Sequence, residues 1–268
     1  MKILTWNINS VRLRAPLALR IIAELGPDIV CLQETKCPDE QFPLKEFTKA
    51  GYGHAHYHGM KGYNGVAVLS KIPFHAVRKW DRVSKSDCRH IAIEINSQKF
   101  KKPVQIHNLY VPAGGDIPDV TANDKFAHKL DFVDELKSFF ASSYAHTDPM
   151  VAVGDFNIAP LEHDVWSHKQ LLDVVSHTPI EVEKLTAMFE SVGWVDAIRT
   201  FVPENEKLYT WWSYRNRDWK ISNRGRRLDH IWVTEPLKTH LKGYTVFKEA
   251  RDWQQPSDHV PVMAEIDL

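Results

Sequence analysis

Polar residues capable of acid–base or metal chemistry stand at the ends of short apolar segments in this sequence. Such positions carry the sites of open α/β sheets, because strand ends meet at one edge of a sheet. Four of the polar residues follow an apolar run directly or within a few positions, and two come just before the last run. The six residues are Asn7, Glu34, Asp155, Asn157, Asp258 and His259.

Three of these residues are carboxylates and two are amides, and oxygen ligands of this kind suit a hard cation. The set therefore predicts a site for Mg²⁺, with Mn²⁺ as a substitute. The single histidine could then move a proton or bind a phosphate. Any one of the polar residues alone could be a cap or turn residue, since Asn and Asp favour such positions. Their recurrence along the chain favours a site.

The remaining thiols and imidazoles have weaker patterns. His54, His56 and His58 alternate and would share one face of a strand, but no acidic residue lies near them in the sequence, which favours an exposed strand face over a metal cluster. The three cysteines are odd in number and lack a zinc-type spacing, so they are interpreted as reduced thiols without a role.

The elements that must position these residues follow a strand–helix–strand order at the start of the chain. Residues 2–9 form a β-rich run, Leu17, Ile21 and Leu25 have helical spacing, Gly26-Pro27 ends the helix, and residues 28–32 form a second strand. This order predicts an α/β fold. Further strands are predicted at residues 65–70, 91–95, 104–110, 150–153, 228–233 and 260–266. Helices are predicted from an N-cap at Thr121 and over residues 180–192.

The bulk composition predicts one intracellular domain. The chain has 268 residues, is 43% hydrophobic and contains no linker-like segment, so a single domain over residues 1–268 is expected. No apolar run reaches the roughly 20 residues that span a bilayer, and arginines at 12, 14 and 20 interrupt any signal peptide. These features predict a cytoplasmic protein without a membrane partner. The formal net charge is zero, so nucleic acid would have to be attracted by a local patch.

Residues 211–227, called here the aromatic-basic run, could supply such a patch. Aromatic rings alternate with cations there, and Asp218 is the one acidic residue among them: Trp211, Trp212, Tyr214, Arg215, Arg217, Trp219, Lys220, Arg224, Arg226 and Arg227. Cations contact phosphates while flat rings stack on bases, so the run predicts binding of nucleic acid. The alternative is a solvated loop over a Trp-rich corner of the core.

Taken together, several short segments resemble the exonuclease III and apurinic/apyrimidinic (AP) endonuclease family. They are Trp6-Asn7-Ile8-Asn9, Leu32-Gln33-Glu34-Thr35-Lys36, Asn108-Leu109-Tyr110-Val111-Pro112, Gly154-Asp155-Phe156-Asn157, Arg227-Leu228-Asp229 and Ser257-Asp258-His259. They extend over residues 6–259. The resemblance implies a four-layer α/β sandwich, with two mixed β-sheets packed face to face, helices outside, and the active site at one end of the sheet pair.

The same resemblance implies a magnesium-dependent DNA repair nuclease. Such an enzyme hydrolyses the phosphodiester 5′ to abasic sites and removes nucleotides or blocking groups from the 3′ ends of double-stranded DNA. A monomer is expected. Two alternatives stay open: a phosphatase or phosphodiesterase of the wider superfamily that acts on a lipid or inositol phosphate, and a catalytically silent DNA-binding module. Only a DNA-binding protein would need the aromatic-basic run.

Residue roles carried over from the family divide into metal, phosphate and DNA contacts. Glu34 would be the main metal ligand, with Asn7, Asn9 and Asp258 beside it. The wider metal set would add Asp155, Asn157 and His259.

Asp155 would orient or deprotonate the attacking water, while Asn157 and Tyr110 would hydrogen-bond the scissile phosphate. Tyr110 could alternatively be a core aromatic. His259, paired with Asp229, would bind or polarise the phosphate, either as a cation or as a neutral base.

Lys36, Tyr63 and Arg89 would contact the duplex, and Trp211, Arg226 and Leu228 would line the pocket for a flipped sugar. Three positions depart from the family pattern. Cys88 stands where glycine is frequent, and Ala113 stands where an amide is common. Arg226 replaces a side chain that is often apolar. An unpaired guanidinium is costly to bury, so Arg226 is expected either to reach a phosphate or to turn to solvent.

Overall fold

The computed structural model describes residues 1–216 and 218–268, so Arg217 of the aromatic-basic run lies outside the described residues. Within those residues the strands are, in chain order, β1 (Lys2–Asn7), β2 (Ile29–Gln33), β3 (His54–His58), β4 (Val66–Ser70), β5 (Ala76–Arg82), β6 (Lys85–Ile95), β7 (Val104–Tyr110), β8 (Met150–Asp155), β9 (Trp194–Asp196), β10 (Trp211–Trp212), β11 (Gly225–Arg226), β12 (Asp229–Thr234), β13 (Leu241–Val246) and β14 (Val262–Ile266). The helices are α1 (Val11–Leu25), α2 (Leu44–Lys49), α3 (Asp124–Ser143), α4 (His168–Leu171), α5 (Pro179–Glu190), α6 (Trp219–Ser222) and α7 (Glu235–Lys238).

Local sequence signals explain where the longer helices begin and end. Helix α1 stops at Gly26, whose φ of 59° is left-handed and whose N–H bonds the carbonyl of Ile22, as the Gly-Pro pair predicts. Helix α3 starts later than predicted. Its N-cap is Asn123, whose side chain accepts from the N–H of Lys125, whereas Thr121 is engaged with the carboxylate of Asp119 in a local turn.

The strands of the described chain form two six-stranded mixed sheets and one two-stranded ribbon. The first sheet has the order β13-β14-β1-β2-β4-β3, and its parallel pair is β1 with β2. The second has the order β5-β6-β7-β8-β12-β9, and its parallel pair is β7 with β8. Strands β10 and β11 make the ribbon. The predicted pair of mixed sheets is confirmed.

The two sheets pack face to face and each carries helices on its outer surface. Ile3 and Val66 of the first sheet meet Ile106 and Val151 of the second in one buried cluster. A second cluster joins α1 and α2 to the first sheet, and a third joins α3 and α5 to the second. The resulting order of helix, sheet, sheet and helix is the four-layer sandwich that the resemblance implied. No helix within the described residues has both the length and the apolar character needed to cross a membrane.

Strand register brings polar residues together at one end of the sandwich. Tyr110 of β7 is paired with Asp155 of β8, and Asp155 is paired with Asp229 of β12. On the facing sheet, Asn7 ends β1 beside the last residue of β2, which places Glu34 just beyond the same edge. Both sheets therefore contribute to one polar end.

The prediction of an exposed histidine face is wrong. Strand β3 exists, but all its residues are half-buried, and His56 Nε2 lies 3.0 Å from the carbonyl oxygen of Arg78. The reason is that β3, an edge strand of the first sheet, packs against β6 of the second sheet, and its His56 contacts Arg78 of β5. Strands β5, β9 and β13 were not predicted, and each of them is at or next to a sheet edge as well.

Candidate active site

Glu34 begins the loop after β2 and has a left-handed backbone with a φ of 52°. Its Oε1 accepts from the Tyr110 hydroxyl at 2.7 Å and from Asn7 Nδ2 at 3.0 Å, and its Oε2 lies 2.8 Å from Lys36 Nζ. Burial alone would raise the pKa of Glu34, but the Lys36 ammonium and the two hydrogen bonds outweigh it and hold the pKa below its ordinary value. Glu34 is therefore ionised at neutral pH.

Asp155 ends β8 and is linked to Glu34 through Asn7. Asn7 Nδ2 donates to Asp155 Oδ2 at 2.8 Å as well as to Glu34, so one buried amide bridges the two sheets. Asn157 adds its backbone N–H at 2.9 Å and its side-chain amide at 3.1 Å. Gly154 precedes Asp155, and a Cβ there would lie 1.9 Å from the carbonyl oxygen of Leu109, so only glycine allows β7 and β8 to approach this closely.

His259 is buried between two carboxylates. Its Nδ1 lies 2.8 Å from Asp229 Oδ2, and its Nε2 lies 3.7 Å from Asp155 Oδ2. Burial alone would lower the pKa of His259, but Asp229 and Asp155 outweigh it and raise the pKa to about 10. Burial also raises the pKa of Asp155 to about 7, against the opposing charge of His259. The geometry thus favours the protonated form of His259, one of the two options that the sequence left open.

We call the polar end of the sandwich the cleft floor. Its members are Asn7, Glu34, Tyr110, Asp155, Asn157, Asp229, Asp258 and His259. Asp258 joins through Asn9, whose Nδ2 donates to Asp258 Oδ1 at 3.2 Å, while Asn9 N–H donates to Asn7 Oδ1. Every predicted metal or catalytic residue therefore lies in one hydrogen-bonded group.

The donor chemistry of the cleft floor fits a hard divalent cation. Glu34 is ionised, and Asn9 joins the side-chain oxygens of Asn7 and Asp258 beside it. Lys36 Nζ already brings a positive charge to Glu34 at 2.8 Å and to Asn9 Oδ1 at 2.7 Å. Within the same network, Asp155, Asp229 and His259 form a tight group in which potential ligand atoms lie within 4.8 Å of one another. We interpret that group as a hydrogen-bonded acid–base set, because His259 Nδ1 is engaged by Asp229.

Sequence reasoning missed two residues that support the floor. Thr210 donates its hydroxyl to Asp229 Oδ2 at 2.6 Å and accepts from the N–H groups of Leu228 and Asp229. Ser257 donates to the carbonyl of Asn7 at 2.7 Å and accepts from the N–H of His259. Ser257 belonged to a recognised segment but had no assigned role, and Thr210 carried no signal in its sequence context.

A cleft of about 640 Å³ opens from the cleft floor. Glu34, Asn157 and His259 of the floor line it, and Trp211 and Leu228 provide apolar lining. Its lining also includes cations and polar groups: Gln170, Ser213, Arg215, Asn216, Arg224 and Arg226. A volume of this size is in the usual range for sites that take small molecules or single nucleotides.

Arg226 does not turn to solvent, which was one of the two options that the sequence left open. Its Nη1 donates to the carbonyl of Val175 at 2.8 Å and to Ser176 Oγ at 2.7 Å, and the guanidinium carbon lies 5.3 Å from the Trp211 ring centre. Its Nε is buried without a hydrogen-bond partner among the described residues. The side chain is thus tethered to the protein while still lining the cleft, so the prediction of a free arginine in solvent is wrong.

The other residues expected to contact DNA differ in their exposure and in whether they are held in ion pairs. Tyr63 is 72% exposed and can contact a duplex. Arg89 is mostly buried: its Nε lies 2.5 Å from Asp87 Oδ2, and its guanidinium carbon lies 4.7 Å from the Tyr110 ring centre. Lys36 is paired with Glu34. Arg89 and Lys36 therefore support Tyr110 and Glu34 in this structure.

Much of the aromatic-basic run is structural. Arg227 is buried and pairs with Asp164 at 2.7 Å and Asp196 at 2.5 Å. Trp212 is fully buried, and Lys220 Nζ lies 2.7 Å from Asp252. The cations of the run that line the cleft are, among the described residues, Arg215, Arg224 and Arg226.

The fold and the cleft floor define an α/β sandwich with an acid–base site at one end, and comparisons with known proteins show its family. Residues 4–259 match the Endonuclease/Exonuclease/phosphatase family, and the chain belongs to that family. It is 30% identical to an exodeoxyribonuclease III of Haemophilus influenzae over 99% of both chains. An AP endonuclease of Archaeoglobus fulgidus superimposes with a TM-score of 0.91 at 31% identity, and a 3′-5′ exonuclease of Neisseria meningitidis with 0.90 at 31%, each over 100% of both chains.

Proposed function

We propose that this protein is a DNA repair nuclease of the exonuclease III type. It hydrolyses the phosphodiester 5′ to abasic sites and removes nucleotides or blocking groups from the 3′ ends of duplex DNA. The observation that carries the proposal is the cleft itself, which joins a buried acid–base floor to a wall of tryptophan, leucine and arginines. The full-length similarity to an exodeoxyribonuclease and to an AP endonuclease supports it.

The floor residues divide the work of an in-line displacement at phosphorus. Asp155 holds the attacking water and takes its proton, which fits a carboxylate whose pKa burial raises to about 7. The His259 imidazolium, held by Asp229, stabilises the negative charge on the phosphate oxygens. The Asn157 amide donates to Asp155 and Val111 in the free protein and would add to this stabilisation by turning one N–H to the phosphate. Tyr110, hydrogen-bonded to Glu34, presents its hydroxyl beside the same phosphate.

Glu34, with Asn7 and Asp258 beside it, would hold a Mg²⁺ ion, for which Mn²⁺ can substitute. Such an ion supplies charge neutralisation at the phosphate. Lys36 would then exchange its contact with Glu34 for one with the DNA backbone. The Mg²⁺ requirement, the single catalytic domain over residues 1–268, the monomeric state and the cytoplasmic location stay predictions.

The test is cleavage of a duplex that contains one abasic analogue, assayed with a matched blunt duplex and with and without Mg²⁺. Wild-type protein should cut the first and trim the second only when metal is present. Glu34→Ala should lose activity and regain part of it in excess Mg²⁺ or Mn²⁺, because the variant binds the ion more weakly. Full cleavage in EDTA would reject the metal assignment. Hydrolysis of a phosphoinositide with both duplexes left intact would favour the lipid alternative.

A further inference from the structure

Lys129 on α3 is fully buried although it carries a charge. Its Nζ donates to the carbonyl oxygen of Asn157 at 2.8 Å and of Ala113 at 3.2 Å, and it pairs with Glu181 Oε1. An ammonium has three protons, and these three acceptors use them all. Gly114, whose Cβ would lie 2.8 Å from Lys129 Cδ, leaves the space that the lysine stem needs.

Glu181 on α5 is equally buried and holds a second loop. Its carboxylate accepts from the N–H groups of Ser176 at 2.9 Å and Thr178 at 3.1 Å, and from the Thr178 hydroxyl at 2.7 Å. This arrangement caps α5 and also fixes the backbone of residues 176–178. One ion pair therefore joins the loop that carries Asn157 to the loop that carries Ser176.

Both loops have a left-handed residue at the point where the pair holds them. Asn157 has a φ of 52°, which asparagine tolerates, whereas Ser176 has a φ of 88°, a value that serine adopts only when its surroundings impose it. Asn157 bonds the Asp155 carboxylate, and Ser176 Oγ accepts from Arg226. The pair thus supports the cleft floor through Asn157 and the cleft wall through Ser176 and Arg226.

We propose that Lys129 and Glu181 are a positioning pair that holds the Asp155–Asn157 segment and the cleft wall at Arg226 in a fixed position relative to each other. This inference rests on the proposed nuclease function. The competing explanation is that the pair contributes only to stability. Breaking a buried ion pair leaves an uncompensated charge and destabilises the fold, whereas removing both charges together is often tolerated. The two explanations therefore differ for a variant that has lost both charges.

The experiment compares Lys129→Met with the charge-free double variant Lys129→Met/Glu181→Gln, in which glutamine still offers an oxygen to the 176–178 loop. Denaturant unfolding gives stability, and cleavage of the abasic duplex gives kcat and KM. We expect the double variant to regain most of the stability that Lys129→Met loses. Its kcat should remain about 10- to 100-fold below wild type with KM within about 3-fold, because small displacements of reacting groups slow chemistry strongly.

A control breaks a different ion pair, in which the arginine is buried and the glutamate side chain is 39% exposed. Arg82 Nη1 lies 3.3 Å from Glu135 Oε1, on β5 and away from the cleft-lining residues. Arg82→Met should lose stability and keep kcat within about 2-fold of wild type, since no floor residue contacts this pair. If kcat instead falls with stability in this control, loss of stability explains the slow variants and the positioning role is rejected.

A double variant that cuts at the wild-type rate would overturn the inference and leave the nuclease function intact. If the double variant does not fold, Glu181→Gln alone decides at a temperature where circular dichroism shows it folded: a lower kcat with unchanged KM supports positioning, and a wild-type kcat overturns it. A wild-type protein that leaves both duplexes intact would overturn the proposed function and this inference with it.

Discussion

The cleft floor and the aromatic-basic run are both rich in residue types that are typical of functional sites, yet those residues do different things in the two regions. In the floor, every predicted polar side chain is held in one network that opens onto the cleft. In the run, Arg227, Trp212 and Lys220 are engaged with other parts of the protein. A polar residue at the end of a buried strand has little choice of position, whereas a charged residue in a loop can find a partner anywhere in the fold.

The largest expected effect tests the floor. Asp155→Asn and His259→Ala should each slow single-turnover cleavage by about 10²–10⁴-fold while DNA affinity changes little, because each removes a positioned charge or proton acceptor at the reacting phosphate. The double variant should be slowed by less than the product of the two. Single-turnover rates at saturating protein measure this, and near-native rates in either variant would contradict the assigned role.

A second effect tests the division of the run into cations that line the cleft and cations that do not. Arg215→Ala/Arg224→Ala should weaken duplex binding and flatten the log–log salt dependence by about one unit for each lost phosphate contact. Lys220→Ala is the matched control from the same run, and its slope should change less because Lys220 is paired with Asp252. Fluorescence anisotropy at several salt concentrations gives the slopes. Equal slopes in the two variants would remove the distinction between the two sets of cations.

A third, smaller effect tests Arg226, which belongs to the run but lines the same cleft as the floor. Arg226→Leu would make the wall beside Trp211 and Leu228 apolar, so abasic-site incision should rise a few-fold relative to 3′ trimming. The salt sensitivity of both activities should fall, because a cation near the phosphates is lost. Both activities are measured on the same labelled duplexes, and an unchanged ratio at every salt concentration would exclude a role for Arg226 in substrate choice.

The last effect concerns stability and sharpens the description of the floor. Asp229 and Asp155 raise the pKa of His259 from 6.5 to about 10 against the effect of burial. Protonated His259 therefore stabilises the fold fully below pH 6.5, and this contribution is lost as the pH rises towards 10. In metal-free buffer the free energy of unfolding should fall over this window by at most about 1.4 kcal/mol per pH unit from this group. Asp229→Asn should reduce this pH dependence of the free energy of unfolding, which denaturant titrations at several pH values measure. The same pH dependence in wild type and variant would contradict the prediction.

The sequence predicted the interior of each sheet well and its edges poorly. Strands β1, β2, β4, β6, β7, β8, β12 and β14 are all interior, and each was predicted to within a few residues except that β6 begins earlier. Interior strands are buried on both faces and produce continuous apolar runs. The edge strands β5 and β13 are partly exposed, so their residues are mixed and resemble loops.

The same contrast explains which parts of the site could be predicted. Asn7, Glu34 and Asp155 could be placed because each ends an interior strand, and sheet geometry determines where strand ends lie. Arg226 could not, because its partners Val175 and Ser176 are about 50 residues away in the sequence and their loop conformation depends on the buried Glu181. Contacts of this kind depend on tertiary structure that local pattern does not encode.

The order in which the chain is synthesised has a consequence for when the site can exist. Asn7 on β1 is held by Ser257, 250 residues later, and Trp6 Nε1 donates to the carbonyl of His259. Strand β14, which follows these residues directly, pairs with β1 in the middle of the first sheet. Ribosome-bound intermediates that lack this segment have neither His259 nor the partner of β1. The reactive site therefore cannot be complete before residues 257–266 are synthesised, because contacts between residues far apart in the sequence close it.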